Sequence, residues 1–384
     1  MTGPILHETT GGVRLGTGTN PEDKPVLAVF LPNWVGDVVM CTPALRALRQ
    51  HFPKAFIVAV YRRYLAELLA GCPWFDDTIT SDHFWLMVRQ LRCRQVSWGL
   101  LFPNSLRTAL AAWLGGCRNR VGYRRDGRRW LLTEALDWPA TEKGRRLPYP
   151  VLLAYNRLAQ RLGCPDPGVQ MQLFTTPEQE AAAEHIWQKR NWQTRPVVAL
   201  HPGAAYGSAK CWPVDYFVEL ARRLAWELAC GVLVLCGPAE RKIAQEIEKL
   251  SSHPQVYGLH HERIDLGLVK ACLKRVAMLI TTDSGPRHIA VAFDRPVVTL
   301  FGPTHIAWTE TFHPRSLHLQ QIVSCGPCQL RRCPRDHRCM RELTPKFVFE
   351  QACAWLQRWR DACTVPLETV QASATFIPVR NRNA

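Results

Sequence analysis

No apolar run approaches the roughly 20 residues that a membrane-spanning helix needs. The opening stretch, MTGPILHETTGGVRLGTGTNPEDKP, lacks the basic-then-apolar order of a signal peptide. Together these absences point to a cytosolic chain. Acidic residues are few: 32 Asp and Glu against 48 Lys and Arg, a formal charge of +16. That imbalance selects for nucleic acid, an anionic membrane surface or a phosphorylated substrate as partner. Nucleic acid fits worst, because no helix-turn-helix or RNA-binding signature appears. No G-x-G-x-x-G follows an expected strand, which argues against a dinucleotide oxidoreductase, and no Walker loop ending in Gly-Lys-Ser/Thr is present. The fifteen cysteines are an odd number, and most stand singly in apolar segments (Cys41, Cys72, Cys230, Cys236, Cys272), as free thiols acting as small hydrophobes do. A secreted disulfide scaffold does not fit them.

What is present is an alternation. A chain of 384 residues exceeds one ordinary core, so two domains are expected. VLAVFLP (26–32), AFIVAV (55–60) and WGLLFP (98–103) read as strands separated by helical patterns such as ALRALRQHF. After a linker around GCPDPGVQMQLFTTPEQ the pattern restarts: helix 177–191, strand 196–203, helix 213–228, strand 231–237, helix 239–250, strand 276–283, helix 286–293 and strand 296–303. This predicts two α/β domains with parallel sheets and a ligand site between them at the carboxyl ends of the strands. Residues 1–24 and those from Thr364 onward read as a mobile extension and tail.

Five segments can carry chemistry. In LPNWVGDVVMCTPALRALRQHFP (31–53), Asp37 follows a glycine at a strand-to-helix junction, as a helix cap or as a functional carboxylate. HPGAAYGSAKCWP (201–213) pairs Gly203 and small residues with Lys210, which suits a phosphate close to the backbone or an ordinary loop with a solvated lysine. TTDSGPRHIAVAF (281–293) offers either an anion seat around Ser284 and Gly285 or a capped helix with Asp283 as cap and His288 as a structural residue. Glu240, after CGPA, stands where an α/β domain can bond a ribose hydroxyl, or is a surface glutamate. Residues 107–146 hold ten Lys or Arg with Tyr123, Trp130 and Trp138 interleaved, a grip for phosphate and sugar or a solvated basic face. A further cluster, CGPCQLRRCPRDHRC, spaces Cys325, Cys328, Cys333 and Cys339 as C-x2-C-x4-C-x5-C. Zinc is the default occupant of such a set, with His337 competing as ligand and an iron–sulfur cluster or a metal-free loop as alternatives.

Taken in order, WVGDVVMCTPALRAL, HPGAAYGSAKCWP, DSGPRHIAVA and CGPCQLRRCPRDHRCM resemble the ADP-heptose:lipopolysaccharide heptosyltransferases of glycosyltransferase family 9, most closely the heptosyltransferase II branch. The likeness runs from about Val26 to about Trp359. It implies a GT-B fold: an acceptor domain over 25–175, a nucleotide-sugar domain over 176–344, and a C-terminal helix over 345–363 that crosses back to the first domain. It implies inverting transfer of heptose from ADP-heptose to a heptose of the lipopolysaccharide inner core, on heptosylated Kdo-lipid A at the cytoplasmic face of the inner membrane. By this resemblance Asp37 is the general base. Gly203, Lys210, Glu240, Asp283, Ser284, Gly285 and His288 meet the donor, and Arg62, Arg120, Tyr123 and Arg124 the acceptor. No cofactor is required, in keeping with the lack of an Asp-x-Asp motif. Ala205 stands where relatives often carry an acidic residue, Cys211 where arginine is usual, and Pro286 and Arg287 where apolar residues are common. These departures bear on donor-base contacts and on the acceptor; another family 9 donor is the nearest competing reading.

Overall fold

The computed structural model describes residues 25–361 and 375–379. The expected extension over 1–24 and most of the expected tail lie outside them. The first sheet comprises β1 (Val26–Phe30), β2 (Phe56–Tyr61), β3 (Asp77–Thr80), β4 (Trp98–Leu101), β5 (Asn119–Tyr123) and β6 (Glu134–Leu136). All are parallel, in the order β3-β2-β1-β4-β5-β6. A small hairpin follows, β7 (Thr141–Glu142) with β8 (Arg145–Arg146). The second sheet repeats the plan with β9 (Val197–His201), β10 (Gly231–Val234), β11 (Val256–Gly258), β12 (Met278–Thr282), β13 (Val297–Phe301), β14 (Ser316–Gln321) and β15 (Thr375–Val379), in the order β11-β10-β9-β12-β13-β14-β15. The central strands VLAVF, VVALH and VVTLF are apolar almost throughout because helices cover both sheet faces. β15 corrects the reading of everything after Thr364 as a tail: residues 375–379 pair in parallel with β14 at the sheet edge.

The helices are α1 (Val35–Met40), α2 (Thr42–His51), α3 (Ala66–Leu69), α4 (Phe84–Cys93), α5 (Leu106–Leu114), α6 (Val151–Arg161), α7 (Pro177–Arg190), α8 (Val214–Glu227), α9 (Arg241–Ser251), α10 (Leu266–Arg275), α11 (Gly285–Ala292), α12 (Arg338–Arg341) and α13 (Pro345–Asp361). On the first sheet, α4 and α5 cover one face and α1, α2 and α6 the other. The two domains meet through α1 against α11 and α3 against α10, in the expected GT-B arrangement. α7 starts with a capping box in which Thr176 and Gln179 satisfy each other's backbone amides. The Gln179 amide also reaches across the domain boundary to the Glu67 carboxylate, 2.9 Å away. From α10, the fully buried Lys270 ammonium donates to the carbonyls of Leu68 (3.1 Å) and Ala70 (3.0 Å) at the end of α3. α13 packs chiefly on α8, with the Trp355 indole bonded to the Arg315 carbonyl at 3.1 Å. Its apolar face therefore serves the second domain more than the first, toward which it was expected to cross.

Candidate active site

Strand order reverses beside β1 in one sheet and beside β9 in the other, the place where open α/β sheets leave a crevice. α1 leaves β1 there and α11 leaves β12, so the two helices begin face to face. Their approach is close enough to demand glycine. A Cβ on Gly36 would stand 2.7 Å from the buried His288 ring, and one on Gly285 would stand 2.9 Å from Cβ of Val35. The glycine before Asp37 is thus a packing requirement between domains. His288 fills that contact rather than lining the cleft, correcting its expected donor role; burial, then the Arg287 charge, hold its imidazole down at about 3, so the ring is neutral.

Asp37 lies in the first turn of α1 but does not cap it; Trp34 is the N-cap, with no side-chain bond to the helix amides. Its carboxylate instead accepts from the Tyr155 hydroxyl of α6 at 2.9 Å. Burial pushes the acid up to about 6, the Tyr155 hydrogen bond and the Lys210 charge oppose that rise, and Asp283 adds to it. Asp37 therefore stays mostly ionised at neutral pH yet is basic enough to accept a proton. The cleft it lines, about 370 Å³ in volume, also takes Tyr123, Trp138, Arg125 and Arg146 from the first domain and Lys210 and Asp283 from the second.

Across the cleft Asp283 is a hub. Its carboxylate accepts from Lys210 Nζ (2.5 Å), Thr304 (3.0 Å), Thr309 (3.1 Å) and Arg287 (3.3 Å), and its carbonyl takes a second Lys210 bond at 3.1 Å. Burial alone would raise this acid, but the Lys210 and Arg287 charges outweigh it and hold the carboxyl well below the usual range. Of these groups Lys210 and Asp283 line the cleft with Asp37, and Arg287 is fully buried behind them. The expected cap role for Asp283 is not found. Ser284 is the N-cap of α11, and its hydroxyl turns to His201 (3.1 Å) and Thr281 (3.0 Å), leaving the first-turn amides without a side-chain cap.

Gly203 and Glu240 belong together, since any Cβ on Gly203 would fall within the Glu240 carboxylate. Glu240 accepts from the Gly237 amide at 2.8 Å and stands 3.5 Å from His201. Burial raises its carboxyl, and His201 and that amide bring it below its ordinary value. His201 thus links Glu240 to Ser284; the sequence reading passed over it, although its place at the end of a strand before Pro-Gly was a usable signal.

Of the four expected acceptor residues only Tyr123 lines the cleft, with its hydroxyl on the Ala154 carbonyl at 2.7 Å. Arg62 stands 3.8 Å from Asp82, Arg124 pairs with Asp137 at 3.4 Å, and Arg120 is consumed by the carbonyls of Leu131, Cys117 and Arg118. The basic stretch contributes Arg125 and Arg146 instead. Arg146 sits 4.8 Å above the Trp138 ring, which meets Trp308 of the other domain at 5.8 Å. Arg128, fully buried, ties Asn104 and the Tyr123 carbonyl together behind this wall.

Cys325, Cys328, Cys333 and Cys339 line one small cavity of about 20 Å³. Burial, then the neighbouring thiols, push Cys339 up to about 11. Among the described residues, however, the ligand-type atoms that come within 4.8 Å of one another are those of Glu248, His260 and His261, not the four thiols. The cysteine loop braces the lysine loop directly. Tyr206 donates to the Gln329 carbonyl (2.7 Å), the Ala209 amide to Arg331 (3.0 Å), and His337 bonds the Ala209 carbonyl (2.8 Å). Gly207 lies so close to the Arg331 carbonyl that a Cβ would collide with it.

The model of the family described as Glycosyltransferase family 9 (heptosyltransferase) matches residues 84–338. The chain is 27% identical over 352 residues to lipopolysaccharide heptosyltransferase 2 of Salmonella typhimurium, covering 85% of this chain and 97% of that protein. The solved structure of E. coli ADP-heptose lps heptosyltransferase II superposes with a TM-score of 0.71 at 24% identity, covering 87% of this chain and 99% of that one. A family 9 glycosyl transferase from Veillonella parvula gives a TM-score of 0.76 at 20% identity over 87% of this chain and 98% of its own.

Proposed function

The chain belongs to glycosyltransferase family 9, and from that premise we propose that it moves L-glycero-D-manno-heptose from ADP-heptose to a heptose of the lipopolysaccharide inner core, with inversion. The observation that carries this reading is that one cleft is lined by the Asp37 carboxylate from the first domain and by the Lys210 ammonium, held on Asp283, from the second. The acceptor hydroxyl oxygen forms its bond to the anomeric carbon as the bond to the diphosphate breaks. Asp37 takes the hydroxyl proton, and the electron pair leaves with the diphosphate. Lys210 and the uncapped amides of α11 receive that charge. Glu240, held beside Gly203, binds the ribose, and Arg125, Arg146 and Trp138 hold the acceptor. The acceptor's lipid anchor brings the chain to an anionic membrane surface on the cytoplasmic side.

A donor panel tests the reading. With an inner-core acceptor, ADP-heptose is expected to exceed ADP-, UDP- and GDP-hexoses by at least tenfold in kcat/KM, a gap of about 1.4 kcal/mol. A preferred hexose donor would keep the fold and replace the substrate, the outcome that Ala205 and Cys211 in the donor loop would then explain.

For the cysteines, whose four thiols line one cavity without converging on one point, we propose a structural zinc ion that would draw Cys325, Cys328, Cys333 and Cys339 together. Protein purified without chelator is then expected to carry stoichiometric zinc, and its removal to weaken donor binding through the contacts at Tyr206 and Ala209. Metal-free protein with full activity would leave a thiol-only brace.

A further inference from the structure

The outer face of the first domain is built against the usual rule. α5 turns its alanines, Ala109 and Ala112, to the core, while Leu106 and Trp113 face outward, 46% and 49% exposed. α4 exposes Trp85 (72%) and Leu86 (44%) at its start, and Trp130 (67%) stands on the turn after β5 with its ring 6.4 Å from that of Trp113. An amphipathic surface helix would bury such side chains, and a cluster of them left outside marks a contact surface.

Positive charge dominates around this cluster, with the exposed Asp82 and Asp126 as the acids at its two ends. From His83 to Arg125 the sequence contains no Asp or Glu and eight arginines. Arg89 and Arg92 follow Trp85 along one stripe of α4, and Arg107, Arg118 and Arg129 are exposed nearby. Arg107 stacks on Phe84 at 5.5 Å, and Arg92 is pinned to the Leu114 carbonyl at 2.7 Å. The rim is therefore held in place.

We propose that this face, formed by α4, α5 and the turn carrying Trp130, docks on a bilayer of anionic phospholipid. Tryptophan favours the boundary between headgroups and acyl chains, and arginine is drawn to the phosphates above it. A second copy of the same face would set at least five exposed arginines against arginines with only Asp82 and Asp126 at the rim to offset them. A nucleic acid would use the arginines but leave the leucines without a partner. Loop 103–105, directly before α5, carries Asn104 into the cleft, so the docked face sets the acceptor side of the cleft beside the membrane. That last consequence rests on the proposed acceptor; the docking itself does not.

The test uses the full chain without donor or acceptor, so it stands or falls apart from the proposed reaction. Vesicles of phosphatidylglycerol and phosphatidylethanolamine are expected to float the protein at low salt, and vesicles of phosphatidylcholine alone to float much less. The variant Trp85→Ser/Trp113→Ser/Trp130→Ser and the variant Arg89→Gln/Arg92→Gln/Arg107→Gln/Arg129→Gln are each expected to lose at least tenfold in vesicle affinity. Each exposed arginine contributes about fivefold near an anionic surface. Both change exposed side chains outside the cleft, so unchanged thermal unfolding and unchanged turnover of a soluble acceptor fragment verify that they fold. Undiminished vesicle binding by both variants would overturn the proposal. So would a wild-type chain that ignores anionic vesicles, binds duplex nucleic acid in preference to them, or uses the three tryptophans to dimerise.

Discussion

Asp37→Asn is expected to bind donor normally and to lose between about 10²- and 10⁴-fold in turnover, the span that a positioned general base supplies. The substitution keeps the shape and still accepts the Tyr155 hydrogen bond, so only the capacity to take a proton disappears. The parent enzyme should show the titration of that group. Its carboxyl is raised to about 6, so kcat/KM is level above that pH and falls about tenfold for each unit below it. Tyr155→Phe removes a hydrogen bond to the charged form, and the acid limb is expected to move to higher pH with a smaller loss at neutrality. The same shift has a stability consequence of defined sign. An acid raised in the fold above its ordinary 3.8 destabilises the folded state as it ionises. The Asn variant should therefore unfold at a higher temperature at pH 7, by a gain of at most about 3 kcal/mol. That gain shrinks as pH falls from about 6 toward the unfolded value and is absent below it. Near-normal turnover of Asp37→Asn would remove Asp37 from the chemistry.

Asp283→Ala is expected to be the most damaging single substitution to the fold, at about 3–5 kcal/mol. It strands Lys210 in a buried site, leaves Arg287 with only the Glu310 charge nearby, and leaves Thr304 and Thr309 without their shared acceptor. Lys210→Met should cost less stability, because Arg287 still pairs with the carboxylate, but it removes the positive charge facing the leaving diphosphate. Donor affinity and turnover should fall together. A chemical denaturation series with both variants and their combination reads the coupling: the double variant is expected to recover part of the Asp283→Ala loss, since one of the stranded cations is gone. Additive losses would mean that the hub is solvated and the three groups act independently.

The sheets were legible because fully buried parallel strands must be apolar along their length, and VLAVF and VVTLF could hardly be anything else. The lysine loop and the Asp-Ser-Gly turn were legible as small residues where a sheet ends and a helix begins. What a polar side chain does at such a junction was not. Asp283 and Asp37 both stood where a cap belongs, and both turned to partners more than 70 residues away in sequence, Lys210 and Tyr155. Local spacing cannot state that preference, because the competing bond exists only after the domains fold. Which arginines line the cleft was not legible for a related reason: one long flexible cation reads like another until it is known whether backbone carbonyls have claimed it, as they claimed Arg120. β15 escaped notice because Pro378 lies within it, a residue that an edge strand can hold and a central strand cannot.

The Lys270 clamp bears on modularity. Two domains of the same architecture invite the view of two separable parts, one for each substrate. Yet Lys270 is a second-domain residue whose hydrogen-bond acceptors, Leu68 and Ala70, belong to the first, and Gln179 repeats the arrangement one helix away. The buried apolar residues on one face of the first sheet also run together with those of the second half as one cluster, while the other face forms a cluster of its own. Cutting the chain at the linker would therefore yield two incomplete halves, the second with the Lys270 ammonium stripped of its carbonyl partners. In such a chain a new second half could not be grafted alone; residues 66–70 would have to travel with it.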